Sequence, residues 1–297
     1  MYTGGFRYMY KKPKVIAEVG CNHMGNFEIA KEFIKMAAIF CKVDVVKFQK
    51  RNPRECLTKQ QYNTPHPNPT NSYGKTYGEH REFLEFSLEQ HKELKIFCEE
   101  MGVEYSTSVW DLTSAKEIVS LNPKLIKIPS ACNNHYTMLD WLCNNYNGEI
   151  HISLGMTTRE EEEKLIRFFK SRNRNKDLVI YACTSGYPVP VEDLCLLEIS
   201  RIKEKYEDDV KEIGFSGHHN GIAMDIAAYT LGASTIERHF TLNRTWKGTD
   251  HAASLEPDGM RRLARDVGNA YKALTYKGKE ILDIEKPQRK KLKYKGA

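Results

Sequence analysis

No apolar run in this chain approaches the roughly 20 residues that a bilayer-spanning helix needs, and no secretory leader precedes its first apolar segment. Its eight cysteines, at positions 21, 41, 56, 98, 132, 143, 183 and 195, form no CxxC pair and no zinc-finger spacing. In a chain of 297 residues they read as reduced thiols, and the expected location is cytoplasmic, with no membrane partner. A broadly basic surface is also missing. The net charge of +6 is matched by six cations after Glu285 (Lys286, Arg289, Lys290, Lys291, Lys293, Lys295), a stretch with no acidic residue. The body is near neutral, which argues against a nucleic-acid groove, and the tail over 281–297 reads as a solvated terminus.

What is present is one repeating unit. Apolar, β-branched runs at 15–20, 43–49, 105–109, 125–130, 150–155, 178–184, 212–217 and 235–240 predict eight strands. Segments with helical spacing at 27–40, 84–101, 159–171 and 222–231 lie between them. Crossovers of that length make neighbouring strands parallel, and eight such units close into a (β/α)8 TIM barrel over residues 1–280, with 1–14 as an extension. A doubly wound open sheet is the alternative, but no Gly-rich dinucleotide fingerprint follows the first strand. The stretch 50–82, rich in Pro, Asn, Tyr and Gly, reads as a long lid or substrate loop on the strand-exit side. A second long loop is expected over 241–256.

In a barrel, chemistry sits where strands end. Here the exits carry Glu18, Asn22 and His23; Lys47 and Gln49; Thr107; Lys127 and Ser130; Ser153; Thr184 and Ser185 ahead of Tyr187; Ser216 and His218; and Glu237 and His239. Side chains alternate along a strand, so Ser216 shares a face with His218 and Glu237 with His239. If those two strands are neighbours, two imidazoles and a carboxylate converge into a metal site with open positions. Lys47 and Lys127 lie inside apolar runs and need anionic partners. Barrel glutamates would satisfy them, but two lysines among hydroxyls suit a phosphate and a carboxylate better. Cys21 and Cys183 read as small packing residues.

The runs Ile16-Ala17-Glu18-Val19-Gly20-Cys21-Asn22-His23, Val46-Lys47-Phe48-Gln49-Lys50, Ile126-Lys127-Ile128-Pro129-Ser130, Cys183-Thr184-Ser185-Gly186-Tyr187-Pro188, Gly214-Phe215-Ser216-Gly217-His218 and Ile236-Glu237-Arg238-His239-Phe240, in this order, resemble the sialic acid synthases. That family condenses phosphoenolpyruvate with N-acetylmannosamine, its 6-phosphate or a related sugar. The resemblance implies that His218 and His239 hold a divalent ion, manganese or magnesium, with cobalt a further candidate. It implies that Lys47, Thr107, Lys127, Ser130, Ser153, Ser185 and Ser216 bind phosphoenolpyruvate, and that Glu18 is the catalytic carboxylate. Ser185 stands where some bacterial members have asparagine. Gln49, Tyr187, Glu237 and Asp250 match positions near the acceptor sugar.

By the same resemblance the ion polarises the sugar aldehyde, C3 of phosphoenolpyruvate attacks it, water adds at C2 and phosphate leaves by C–O cleavage. Thr76-Tyr77-Gly78-Glu79-His80-Arg81, Ser216-Gly217-His218 and Trp246-Lys247-Gly248-Thr249-Asp250-His251 resemble the animal-type members, which use the 6-phosphorylated sugar. Lys75, Arg81 and Lys247 are then candidates for a second phosphate. Family members usually add a C-terminal antifreeze-like domain that reaches the partner's site in a homodimer. This chain stops at Ala297, shortly after Lys286-Pro287, where that linker would begin. The expectation is a barrel without that domain, its cap supplied by a separate protein or its pocket more open. Two other readings compete: a Schiff-base pyruvate aldolase on Lys127 or Lys47, and a non-catalytic barrel that binds a sugar phosphate.

Overall fold

The structure, a computed structural model, describes residues 10–294. Its eight strands are β1 (Lys14–Gly20), β2 (Val45–Lys50), β3 (Glu104–Val109), β4 (Leu125–Ile128), β5 (Glu149–Ser153), β6 (Leu178–Cys183), β7 (Glu212–Gly217) and β8 (Thr235–His239). Every pairing is parallel, in sequence order, and β1 pairs with both β2 and β8, so the sheet is a closed barrel. That closure removes the open-sheet alternative.

The helices in chain order are α1 (Phe27–Lys35), α2 (Pro53–Cys56), α3 (Lys59–Asn63), α4 (Tyr77–Leu84), α5 (Leu88–Glu100), α6 (Leu112–Ser120), α7 (Tyr136–Asn145), α8 (Arg159–Lys170), α9 (Leu197–Tyr206), α10 (Ala223–Thr230), α11 (Pro257–Ala273) and α12 (Glu285–Leu292). None is long and apolar enough to cross a membrane. Helix α12 buries no residue, in keeping with its run of cations, and Lys295 lies outside the described residues.

Alternation along each strand separates two environments. Val15, Ala17 and Val19 of β1, Val46 and Phe48 of β2, and Ile126 and Ile128 of β4 join the apolar layer beneath the helices. The alternate residues Ile16, Val45 and Leu125 form a small cluster inside the barrel. Two residues further along the same three inner rows stand Glu18, Lys47 and Lys127, at the end where the strands exit. The inner rows change from apolar to charged within one step of the repeat, and that change fixes where the chemistry can occur.

Two expectations need correction. The stretch 50–82 is not structureless, because it folds into α2, α3, a single 3-10 turn at Pro69–Asn71 and most of α4. Each piece has its own start signal: Asn52 caps α2, Asn68 caps the 3-10 turn, and Thr58 with Gln61 and Thr76 with Glu79 form reciprocal caps on α3 and α4. Pieces this short leave no readable apolar period. The expected helix over 84–101 is likewise two elements, since Ser87 and Gln90 form a capping box that starts α5 after an extended Glu85.

Candidate functional site

A cavity of about 360 Å³ opens at the strand-exit end of the barrel. Glu18, Lys47, Gln49, Lys127, Ser130, Ser153, Ser185, Tyr187, Ser216, Glu237, Asp250, His218 and His239 all line it. Thr107 does not. Tyr105, two residues before it on the same face of β3, hydrogen-bonds His91 of α5 at 2.8 Å, so that face is turned to the helices. Ser108 is the β3 residue that reaches the cavity, where it accepts a hydrogen bond from Lys47 Nζ at 2.9 Å. The strand was placed correctly, but the inward parity was misassigned by one residue.

Both buried lysines have carboxylate partners. Lys47 is ion-paired with Glu18, whose other oxygen accepts from Gln49 Nε2 at 2.8 Å. Lys127 donates to Glu237 Oε2 at 2.8 Å, and Ser216 Oγ donates to Glu237 Oε1 at 3.1 Å. The glutamate pairing that sequence reasoning ranked second is therefore present. It does not exhaust Lys127: an ammonium has three N–H donors, and among the described residues its hydrogen bond to Glu237 uses a single one. Burial pushes the Glu237 carboxyl up, but Lys127 and Lys47 outweigh it and hold it well below the usual range. Burial also pulls Lys127 below an ordinary lysine, partly offset by Glu237.

Across the cavity the His218 and His239 rings stand 5.4 Å apart. His218 Nδ1 lies 3.1 Å from the Thr184 carbonyl, so this nitrogen carries the proton and Nε2 presents its lone pair. Burial, followed by the charge of His239, lowers the His218 pKa to about 3, which keeps the ring neutral at physiological pH. His239 Nδ1 is buried without a hydrogen-bond partner, 4.0 Å from Asp250 Oδ2. A neutral imidazole with a free lone pair beside an orphaned ring nitrogen suits a divalent ion. No group of three or more His, Cys, Asp or Glu side chains is poised to hold an ion among the described residues. Two imidazoles would thus leave most coordination positions to water and substrate. Glu237 belongs to the lysines, not to this pair.

Several close approaches make the pocket possible. Gly155 N–H donates to Ser130 Oγ at 3.0 Å, and a Cβ there would stand 2.4 Å from Ser185 Oγ and 2.7 Å from Ser130 Oγ. Gly20, at φ +57°, lets the end of β1 pass over the Glu18–Gln49 pair. Asn22 ties that end to β8 through the Phe240 carbonyl at 2.8 Å, and His23 stacks on Phe86 at 4.1 Å. Both are structural.

Arg51 was missed. It lies on the cavity wall, paired with Glu85 at 2.8 Å and set over the Trp110 ring at 4.6 Å. The signal was there: position 51 continues the 47, 49 inward row by two residues. Of the three proposed second-phosphate cations, only Arg81 lines the cavity. Lys247 instead sits over the Tyr73 ring at 4.5 Å.

The chain matches the NeuB family over residues 33–279. It is 37% identical over 278 residues to human N-acetylneuraminate-9-phosphate synthase, covering 94% of this chain and 76% of that one. To the N,N'-diacetyllegionaminic acid synthase of Campylobacter jejuni it is 32% identical, over 89% of this chain and 78% of that protein. Among solved structures, the N-acetylneuraminic acid synthetase of Leptospira borgpetersenii, crystallised with citrate, superposes with a TM-score of 0.79 at 25% identity, over 96% of this chain and 94% of that one. The relatives are sugar-acid synthases and the chain is an enzyme of that transferase type: it belongs to the NeuB family, as the barrel, its order of strand-exit motifs and its matched length together require.

Proposed function

We propose that this barrel condenses phosphoenolpyruvate with a mannose-configured amino sugar phosphorylated at C6, giving a nine-carbon sugar acid and inorganic phosphate. One observation carries the reading: two buried lysines, a group of serine hydroxyls and two imidazoles line a single polar cavity. An anionic three-carbon donor fits the lysine side, and a carbonyl acceptor fits the imidazole side. The 9-phosphate printed in the human relative's name corresponds to C6 of a six-carbon acceptor after three carbons are added. Arg81, with Arg51 beside it on the wall, is the seat we assign to that phosphate.

His218 and His239 would hold a divalent ion, manganese or magnesium, which would supply polarisation of the acceptor aldehyde. The remaining roles fall to the chain's own groups. Lys127, Lys47, Ser130, Ser153, Ser185 and Ser216 hold the phosphate and carboxylate of phosphoenolpyruvate, so that its C3 faces the acceptor. The new C–C bond leaves C2 electron-poor, water adds there, and the C2–O bond to phosphate breaks. Glu18 takes one proton from that water and the acceptor oxygen, left as an alkoxide by the C–C bond, gains it; the other water proton leaves with the phosphate. Gln49 fixes the carboxylate's orientation. Lys127 and Lys47, both buried, neutralise the departing phosphate. We place Tyr187 and Asp250 on the acceptor side; Glu237, assigned there by the resemblance, is bonded instead to the donor-side groups Lys127 and Ser216. We assign the donor-site role of Thr107 to Ser108.

Phosphate release from phosphoenolpyruvate, measured with a panel of free and phosphorylated acceptors and added divalent ions, tests the reading. Release that depends on a 6-phosphorylated acceptor is expected. No release with any acceptor would sink it, and equal efficiency with free and phosphorylated acceptors would remove the Arg81 seat. Borohydride trapping with pyruvate would instead support the aldolase on Lys127.

Gly155→Ala is a sharper probe of the donor side. The added methyl would displace Ser130 and Ser185, so the phosphoenolpyruvate KM is expected to rise about 10- to 100-fold, the scale of one or two lost hydrogen bonds to a charged group. The acceptor KM should hold. Steady-state kinetics alongside a melting curve separates this outcome from general unfolding.

A further inference from the structure

The interior of this barrel holds a polar column that none of the roles above uses. Near its strand-entry end, Glu149 is paired with Lys14 at 3.5 Å and Lys211 at 2.8 Å. Its carboxylate lies 3.0 Å from His151 Nε2, and His151 Nδ1 lies 2.6 Å from the Tyr181 hydroxyl. The Tyr181 ring in turn lies under Lys127, with Nζ 3.7 Å from the ring centroid. His151 and Tyr181 are 0% exposed.

The hydrogens are assigned by the partners. A carboxylate can only accept, so Nε2–H donates to Glu149. Burial lowers the His151 pKa and keeps the ring neutral, which makes Nδ1 the acceptor and Tyr181 O–H the donor. Each link therefore passes negative character in the same direction. A phenol that donates its proton has a more electron-rich ring, and an electron-rich ring face attracts an ammonium more strongly. The ring's place is itself built in: a Cβ on Gly214 would stand 2.6 Å from Tyr181 Cδ1, so β7 must present a bare backbone there.

We propose that Tyr181 is a positioning residue for the donor site. Its ring, tuned through His151 and Glu149, holds the Lys127 ammonium charged and aimed into the cavity opposite Glu237. The inference rests on the reading above, that Lys127 binds the phosphate of the donor. Without the ring, Lys127 would keep Glu237 as its hydrogen-bonded partner among the described residues, and its tip would be free to settle away from the cavity.

The test replaces residue 181 with phenylalanine and then with its mono-, di- and trifluorinated analogues, which drain the ring face of charge with little change in shape. Inorganic phosphate is the probe, titrated calorimetrically into the protein, and the two KM values are measured in parallel. The expected result is a stepwise loss of phosphate affinity reaching about tenfold across the series, matched in the phosphoenolpyruvate KM and absent from the acceptor KM. A flat series in folded protein overturns the proposal, as does an equal rise in both KM values, which would mark Tyr181 as packing only. Lys127→Ala is the control that separates the two layers. If it leaves phosphate binding unchanged, the donor-site reading itself has failed. If it abolishes binding while the fluorine series is flat, only the role of Tyr181 has failed.

Discussion

Asp225→Ala is expected to lower the unfolding free energy by about 3–5 kcal/mol, the usual consequence of leaving a buried charge without its partner. Arg238 points outward from β8 into the space under α10 and is 1% exposed. Its guanidinium is paired with Asp225, donates to the Gly221 carbonyl at 2.9 Å and to the His219 carbonyl, and lies 3.2 Å from His219 Nε2. Removing the carboxylate leaves that charge in a space water cannot reach. For a chain of this size the loss corresponds to a fall in Tm of roughly 5–8 °C. Arg238→Met alongside Asp225→Ala should recover most of the loss, because the unmatched charge goes with it. Urea unfolding of the two single variants and the double variant measures the coupling. A single variant within about 1 kcal/mol of the parent would sink the account. The clamp also bears on function, since His219 follows His218 and Arg238 lies between Glu237 and His239.

Stripping divalent ions with a chelator is expected to reduce turnover at least about a thousandfold, with manganese or magnesium restoring it. That is the scale of the several kcal/mol a bound ion contributes to stabilising charge in a transition state. His239→Ala should show the same loss without rescue. His239 Nδ1 is buried without a hydrogen-bond partner, so removing the ring forfeits no internal hydrogen bond from that atom. The variant should therefore melt close to the parent, and metal titration followed by calorimetry should show weakened binding independently of turnover. Full activity after exhaustive chelation would overturn the assignment of His218 and His239.

How much of this was legible from the residues differs from one segment to another. All eight strands could be read, because their outward rows and the starts of most inward rows are apolar or β-branched, and such short runs stand out from the helices between them. Lys47 and Lys127 were conspicuous for the same reason: a cation within such a run has few structural explanations. Thr107 and Ser108 were not distinguishable. Both are small hydroxyl residues on one strand, and only the contact of Tyr105 with α5 reveals which parity faces inward. The short helices of the 50–82 stretch were hidden because their determinants are caps and turns, which act over three or four residues and leave no period. Arg51 lay just beyond an apolar strand, where an arginine looks like ordinary surface; its place in the 47, 49, 51 row hinted at the cavity, but only the fold showed its partners, the Trp110 ring beneath it and Glu85.

The sequence by itself determined the barrel, the order of its exits and the residue types that meet there, because periodicity and parallel crossover length are local properties of the chain. Tertiary structure alone decided the partners. Lys127 could have faced any carboxylate, and the register of β7 on β8 placed Glu237 opposite Ser216 and within reach of Lys127. The same closure set two imidazoles from separate strands 5.4 Å apart and stacked a tyrosine beneath a lysine 54 residues before it in the chain. Such pairings depend on distances across a closed sheet, and no spacing along the chain encodes them.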